Sequence, residues 1–246
     1  MTETRHERTL LLLGEAGLER LAGTHVVIAG LGGVGGFAAE AVARAGVGRI
    51  TLLDHDVVAP SNLNRQLLAL ESTLGRPKAE VMAERIRDIN PHIRAEPVQT
   101  FLSPDNVGEL VANARADYLL DCIDSISCKA ALVHACQRQG LAVASSMGAG
   151  GRIDVTRALV SRLDRTHTCP LAREMRRHLK RLGASLRYPV VFSTEIPRKG
   201  SSHQPVGSPD NPGRPRAVNG TISYLPALFG IMLAGVAIQA LLDAPQ

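Results

Sequence analysis

The sequence predicts an α/β protein built on a doubly wound, mostly parallel sheet, and three observations carry that expectation. Short β-branched runs alternate with segments of helical periodicity from His25 to Ser145, the pattern of successive βαβ units. The first unit, HVVIAGLGGVGGFAAE, breaks from an apolar strand into glycines and resumes as a helix former. Polar groups then collect where strands should end, at Gly30 to Gly35, Asp54 and Asp124, the edge at which such sheets gather ligands. A basic insertion over 152–187 and an apolar carboxyl-terminal helix stand outside the alternation.

Residues 5–21 mix Arg5, Glu7 and Arg8 with leucines, which predicts a leading helix packed outside the sheet. In the first unit, Gly30, Gly32 and Gly35 fit G-x-G-x-x-G, where glycine permits positive φ, close backbone approach to a phosphate and tight helix-on-strand packing. The helix from about Gly33 to Arg44 turns free N–H groups and a positive dipole end toward an anion. Ile50 to Leu53 forms the second strand, and Asp54 follows Gly35 by 19 residues, where a ribose hydroxyl lies in a nucleotide site. That spacing suits NAD and ATP alike.

The polar run Ser61 to Gln66 separates this strand from Pro77, which opens a helix with Lys78 on its first turn and an end at Asn90-Pro91. Ile93 to Val98 reads as a third strand, and Ser103 as the cap of a helix through Ala114. Tyr118 to Leu120 is a strand running into Asp121-Cys122-Ile123-Asp124, followed by a helix from Ser127 to Gln139 and a strand from Leu141 to Ser145.

The chain has 246 residues, with 28 Lys and Arg against 23 Asp and Glu. That length buries a substantial core without staples, and the net charge is mild. Its distribution is not. Residues 152–187 hold ten basic residues and three acids, and Arg173, Arg176, Arg177, Lys180 and Arg181 recur at spacings that favour one helix side, suited to a phosphate backbone. Tyr188 and Phe192 are the only aromatics nearby, so backbone docking is expected more than base reading.

Residues 197–220 carry five prolines and four glycines and predict a mobile loop. Ile222 to Leu242 is almost wholly apolar, and Pro226, Gly230, Gly235 and Gln239 favour a buried helix closing the core over a membrane span. Cys122, Cys128, Cys136 and Cys169 form no C-x-x-C pair and read as reduced, buried thiols. MTETRHERTL lacks an export-type apolar core, so a cytoplasmic protein is expected.

GLGGVGG at 30–36, Asp54-x-Asp56, NLNRQ at 62–66, GRPKAE at 75–80 and DCIDS at 121–125 together resemble the ubiquitin-activating-type adenylating superfamily that includes ThiF, MoeB and HesA. Within it, GAGGRIDVT, DRTHTCPLAREMRRHLKR and VFSTE resemble the tRNA threonylcarbamoyladenosine dehydratases. The resemblance implies one Rossmann-like ATP-binding adenylation domain over 1–246, with ATP and Mg²⁺ as cofactors and tRNA as substrate. It further implies a homodimer and, as a partner, a cysteine desulfurase or sulfur acceptor.

It also implies roles. Arg65 and Lys78 neutralise the triphosphate, Asp54 holds the ribose, Asp56 and Asn62 line the nucleotide site beside Gly30, Gly32, Gly33 and Gly35, and Asp124 binds Mg²⁺. Arg8 reaches the partner subunit's active site, and the Arg173 to Arg181 cluster meets the tRNA. The implied reaction adenylates a threonyl carboxylate on the nucleoside, whose own carbamoyl oxygen then closes a ring as AMP leaves. Two other readings stay open. One is adenylation of a small sulfur-carrier protein, weakened because the paired C-x-x-C zinc ligands usual there are lacking; the other is a nicotinamide-dependent oxidoreductase or nucleotide sensor.

Overall fold

A computed structural model describes residues 5–198 and 220–244. Among these, seven strands form one sheet in the order β3-β2-β1-β4-β5-β7-β6, made from β1 (His25–Ala29), β2 (Arg49–Leu53), β3 (Arg94–Val98), β4 (Tyr118–Asp121), β5 (Ala142–Ser146), β6 (Ala158–Arg162) and β7 (Pro189–Ser193). Every pairing is parallel except β6 with β7. The doubly wound, mostly parallel expectation therefore holds. Chain order reverses between β1 and β4, whose carboxyl ends part to open the crevice in which such sheets hold ligands.

Helices cover both faces. The helices are α1 (Glu7–Ala22), α2 (Gly35–Ala45), α3 (Lys78–Ile89), α4 (Val107–Ala114), α5 (Ile126–Arg138), α6 (Pro170–Arg181) and α7 (Tyr224–Asp243). On one face Val26, Ile28, Leu52 and Leu120 meet α2, α3 and α7; on the other Val27, Ala29, Leu119 and Val143 meet α4, α5 and α6. The alternation of strand side chains divides them so, and β1 is buried along its whole length because it lies mid-sheet.

Local differences from expectation have local causes. Ser103 is not a helix cap: Asn106 accepts from the Ser103 N–H, a turn forms, and α4 starts only at Val107. The leading helix is kinked at Gly14, with φ 70°. β6 and β7 were not anticipated inside and beside the basic insertion. The loop expected over 197–220 falls, save at its ends, outside the described residues. Those ends meet: Arg198 N–H donates to Gly151 O at 2.7 Å, and Gly151 N–H donates to Gly220 O at 2.8 Å.

α7 is long and apolar enough to cross a membrane by length and composition, yet Leu225, Phe229, Leu233, Ala237 and Leu241 are buried in the core with Leu120 and Val191. A Cβ on Gly230 would lie 2.2 Å from Val34 O, so the backbones of α7 and α2 touch. Arg20 of α1 donates to the Leu242 and Ala244 carbonyls, placing a cation at the negative end of α7.

Candidate active site

The glycine turn joins β1 to α2 at the mouth of the crevice. Gly30 takes φ 87°, and a Cβ there would stand 3.0 Å from Cys122 O; on Gly35 it would stand 1.7 Å from Gly30 O. Both positions therefore require glycine for packing. Gly32 is different, since among the described residues its missing Cβ would meet nothing closer than Gln66 Nε2 at 3.8 Å. A group approaching Gly32 finds bare backbone and the amino end of α2, which suits a phosphate.

Asp54 is buried and staples the turn to β2. Its Oδ2 accepts from Leu31 N–H at 2.6 Å and its Oδ1 from Asp56 N–H at 2.8 Å, leaving further lone pairs for ribose hydroxyls. Lys78 is also buried. Its Nζ donates to Asp56 Oδ2 at 2.8 Å, and Asp56 lies 3.1 Å from His55 Nε2 as well. Ligand atoms of Asp54, His55 and Asp56 gather within 4.8 Å, but the N–H groups and Lys78 already engage both carboxylates.

Residues 60–66 fold over the turn. Asn62 is buried and accepts from Ala59 N–H at 3.1 Å, which fixes the short helical bend that presents Arg65. A Cβ on Gly33 would lie 3.3 Å from Arg65 O and 3.4 Å from Arg65 Cγ, so Arg65 crosses the glycine turn. Arg65 is half-buried, and among the described residues its guanidinium donates to Ser61 O and Asn64 Oδ1 at 2.8 Å each. Asp124 is exposed one residue beyond Ile123, in the loop that touches Gly30.

Arg65, Asp54 and the Asp124 loop thus all contact the glycine turn, and Lys78 joins through Asp56. Arg8 does not. It is exposed on α1, and the neighbouring His6 ring packs 3.4 Å from the Cβ position of Gly46, the carboxyl end of α2. The 11 residues of α2 put about 16 Å between that end and the glycine turn.

The α6 cluster is only partly a surface. Ala172, Met175 and Leu179 face the core, while Arg173, Arg177, Lys180 and Arg181 are exposed. Arg176 turns inward and donates to Thr166 O at 3.0 Å and to Thr166 Oγ1. Arg177 pairs with Glu174 at 2.8 Å. Arg152, at the start of the basic insertion, is buried and donates to Glu195 O at 3.0 Å.

Sequence reasoning missed two groups. Gln66 is buried against Gly32, and its Oε1 has no hydrogen-bond partner among the described residues; only its neighbour Arg65 was singled out. Asp121, Lys129 and Ser145 form a polar knot beneath the Asp124 loop, with Lys129 Nζ 2.9 Å from Asp121 Oδ2 and Ser145 Oγ donating to the same oxygen at 2.6 Å. Burial pushes the Asp121 carboxyl upward, and the Lys129 charge opposes it.

The cysteines are all free. Burial raises the Cys122 and Cys136 thiols to about 12 and the Cys128 thiol to about 11, so none of the three offers a thiolate at neutral pH. Cys169 is buried in the core with Met175 and Phe192. The site's chemistry therefore rests on cations, carboxylates and backbone amides. A cleft of about 320 Å³ lined by Arg20, Asp117 and Tyr118 opens at the amino ends of the strands, away from all of these groups.

The ThiF family profile matches residues 5–246. The chain is 44% identical over 194 residues to the tRNA threonylcarbamoyladenosine dehydratase of Escherichia coli, covering 76% of this chain and 72% of that protein. It is 37% identical over 241 residues to the enzyme of the same name from Bacillus subtilis, covering 96% and 93%. A crystal structure of the Escherichia coli dehydratase in complex with ATP superposes with a TM-score of 0.84 at 38% identity, covering 96% of this chain and 93% of that one.

Proposed function

The chain belongs to the ThiF family, and we propose that it is an ATP-dependent dehydratase that adenylates the threonyl carboxylate of threonylcarbamoyladenosine in tRNA and promotes its cyclisation. The observation that carries this reading is its likeness, along nearly the whole chain, to a dehydratase crystallised with ATP. The residues fit the nucleotide: Gly32 leaves backbone open to phosphates, Asp54 keeps lone pairs for ribose, and two cations border the turn.

An anionic carboxylate approaches a triphosphate only when the charge between them is neutralised. Arg65 and Lys78 do this, Arg65 from above the glycine turn and Lys78 by exchanging part of its bond with Asp56 for phosphate oxygens. The Gly32 and Gly33 amides at the amino end of α2 hold the remaining phosphate charge, and Gln66 Oε1, unpartnered among the described residues, is an acceptor for a hydroxyl or amino group of the nucleotide. Asp124 is the residue that would hold Mg²⁺, which would supply positive charge to offset that of the triphosphate and the leaving pyrophosphate. The carboxylate displaces pyrophosphate from the α-phosphate, the carbamoyl oxygen attacks the activated carbonyl, and AMP departs. The second nucleophile resides in the substrate, so no enzyme thiol is needed, in keeping with the raised Cys122, Cys128 and Cys136. The reaction needs no sulfur donor.

The whole chain acts as one adenylation domain, in the cytoplasm, and as a homodimer. The place of Arg8 on α1, two residues from the His6 ring that packs at the far end of α2 from the glycine turn, supports the dimer, as do Leu11 and Leu12 on α1, which are 84% and 81% exposed and gain from being covered. The exposed cations of α6, namely Arg173, Arg177, Lys180 and Arg181, meet the tRNA backbone.

The test is release of AMP and pyrophosphate with threonylcarbamoylated tRNA and Mg·ATP. Wild type turns over with that tRNA and not with tRNA lacking the modification. Arg65→Ala abolishes turnover with an unchanged melting temperature, because its bonds are local and exposed. Turnover driven instead by a carrier protein ending in Gly-Gly would refute the reading.

A further inference from the structure

Lys129 on α5 is fully buried, as is its partner Asp121. Taking two charges out of water costs several kcal/mol per ion. Lys129 also lies in the first turn of its helix, the positive end of the dipole, where a cation is disfavoured. A position so unfavourable persists only if its contacts are worth more than burial costs.

Those contacts all point to one loop. Beyond Asp121 Oδ2 at 2.9 Å, the ammonium donates to Asp121 O at 3.2 Å and Ile123 O at 3.0 Å, which satisfies its three N–H donors. Asp121 Oδ1 in turn accepts from Ile123 N–H at 3.2 Å, and Ser145 holds Asp121 Oδ2 from β5. Cys122 N–H donates to Ala29 O at 2.8 Å. Residues 121–123 are therefore fixed from every side, and their backbone is what meets Gly30 across the crevice. Asp124 leaves this fixed segment one residue later.

The geometry points to Lys129 as a positioning residue that sets where Asp124 stands relative to the glycine turn, and hence how tightly the metal is held with the nucleotide. The inference rests on the reading that Asp124 holds that metal.

The test is calorimetric binding of ATP and of Mn·ATP, with the Mg²⁺ dependence of pyrophosphate release as a second readout. The variants are Lys129→Arg, the neutral pair Asp121→Asn with Lys129→Met, Ser145→Ala and Asp124→Asn. The neutral pair is expected to lose about tenfold in Mn·ATP affinity while metal-free ATP affinity stays within about twofold, and Lys129→Arg to recover most of the loss. Ser145→Ala, which keeps both charges, shows a smaller loss in the same direction and serves if the neutral pair does not fold. An equal loss with and without metal, or unchanged Mn·ATP binding in both the neutral pair and Ser145→Ala while Asp124→Asn is impaired, overturns the positioning role alone. Unchanged binding in Asp124→Asn overturns the metal reading and this inference with it.

Discussion

Two alanine substitutions in the glycine turn separate packing from binding. Gly35→Ala places a methyl 1.7 Å from Gly30 O, so that oxygen must retreat by at least about 1.3 Å to reach the closest tolerated contact. It cannot do so freely, because Gly30 N–H is bonded to Leu53 O at 2.8 Å and Gly30 itself abuts Cys122 O. Overpacking at a fixed backbone belongs at the upper end of its range, about 3 kcal/mol, which lowers the melting temperature by roughly 6–12 °C for a chain of this size. Gly32→Ala meets nothing within 3.4 Å among the described residues and should melt at or slightly above wild type. Thermal melts with and without ATP supply the second axis. Ligand at a hundredfold its Kd stabilises wild type by about 2.7 kcal/mol, and Gly32→Ala should lose most of that gain because its methyl occupies the face left open to phosphate. Gly35→Ala melting with wild type would refute the packing described for the turn. Gly32→Ala keeping the full ATP-induced shift would place the nucleotide elsewhere.

Replacing Arg177 and Lys180 by alanine should weaken tRNA binding and lower the slope of log affinity against log salt by about 1.5, the loss of two phosphate contacts; filter binding across a salt series reads it, and an unchanged slope would make the exposed face of α6 a solvated surface. His25, buried at the start of β1, has its pKa lowered by burial and by the Arg49 charge against the opposing pull of the Arg115 carbonyl, Glu96 and Asp117. The unfolded chain therefore binds a proton near pH 6.5 that the folded chain refuses, so stability is complete above that pH and falls as the pH drops through the folded value, at most by about 1.4 kcal/mol per pH unit. Melting temperatures from pH 7.5 to 5.5 should fall less steeply for His25→Gln than for wild type, and parallel curves would exclude the histidine as the cause.

The first half of the sheet was legible because its signals are local. β1 is β-branched and glycine-terminated, and Pro77 and Asn90 bracket α3, so strand, turn and helix each announce themselves within a few residues. β6 was not legible: its Leu159 and Val160 are consecutive and both substantially exposed, so an edge strand there shows no inward and outward alternation. The charge of the surrounding insertion masked it further. At the site, residues within a motif such as Arg65 and Lys78 could be singled out, and their attachment to the glycine turn through Gly33 and Asp56 could not. Asp121, Lys129 and Ser145 come together only through strand order and the first turn of α5. Arg176 shows the converse, since helical spacing groups it with its neighbours and only Thr166, contributed by the preceding loop, draws it inward.

The contact between Gly230 and the start of α2 has a consequence for biogenesis. α7 covers the middle of one sheet face, yet it is translated after every strand it shields. A nascent chain that has already paired β1, β4 and β5 keeps an oily slab bare until α7 leaves the ribosome, and such exposed intermediates aggregate. Truncations ahead of α7 should therefore accumulate as chaperone-bound or insoluble species rather than as a smaller native protein, and Gly230→Ala should slow the final docking step.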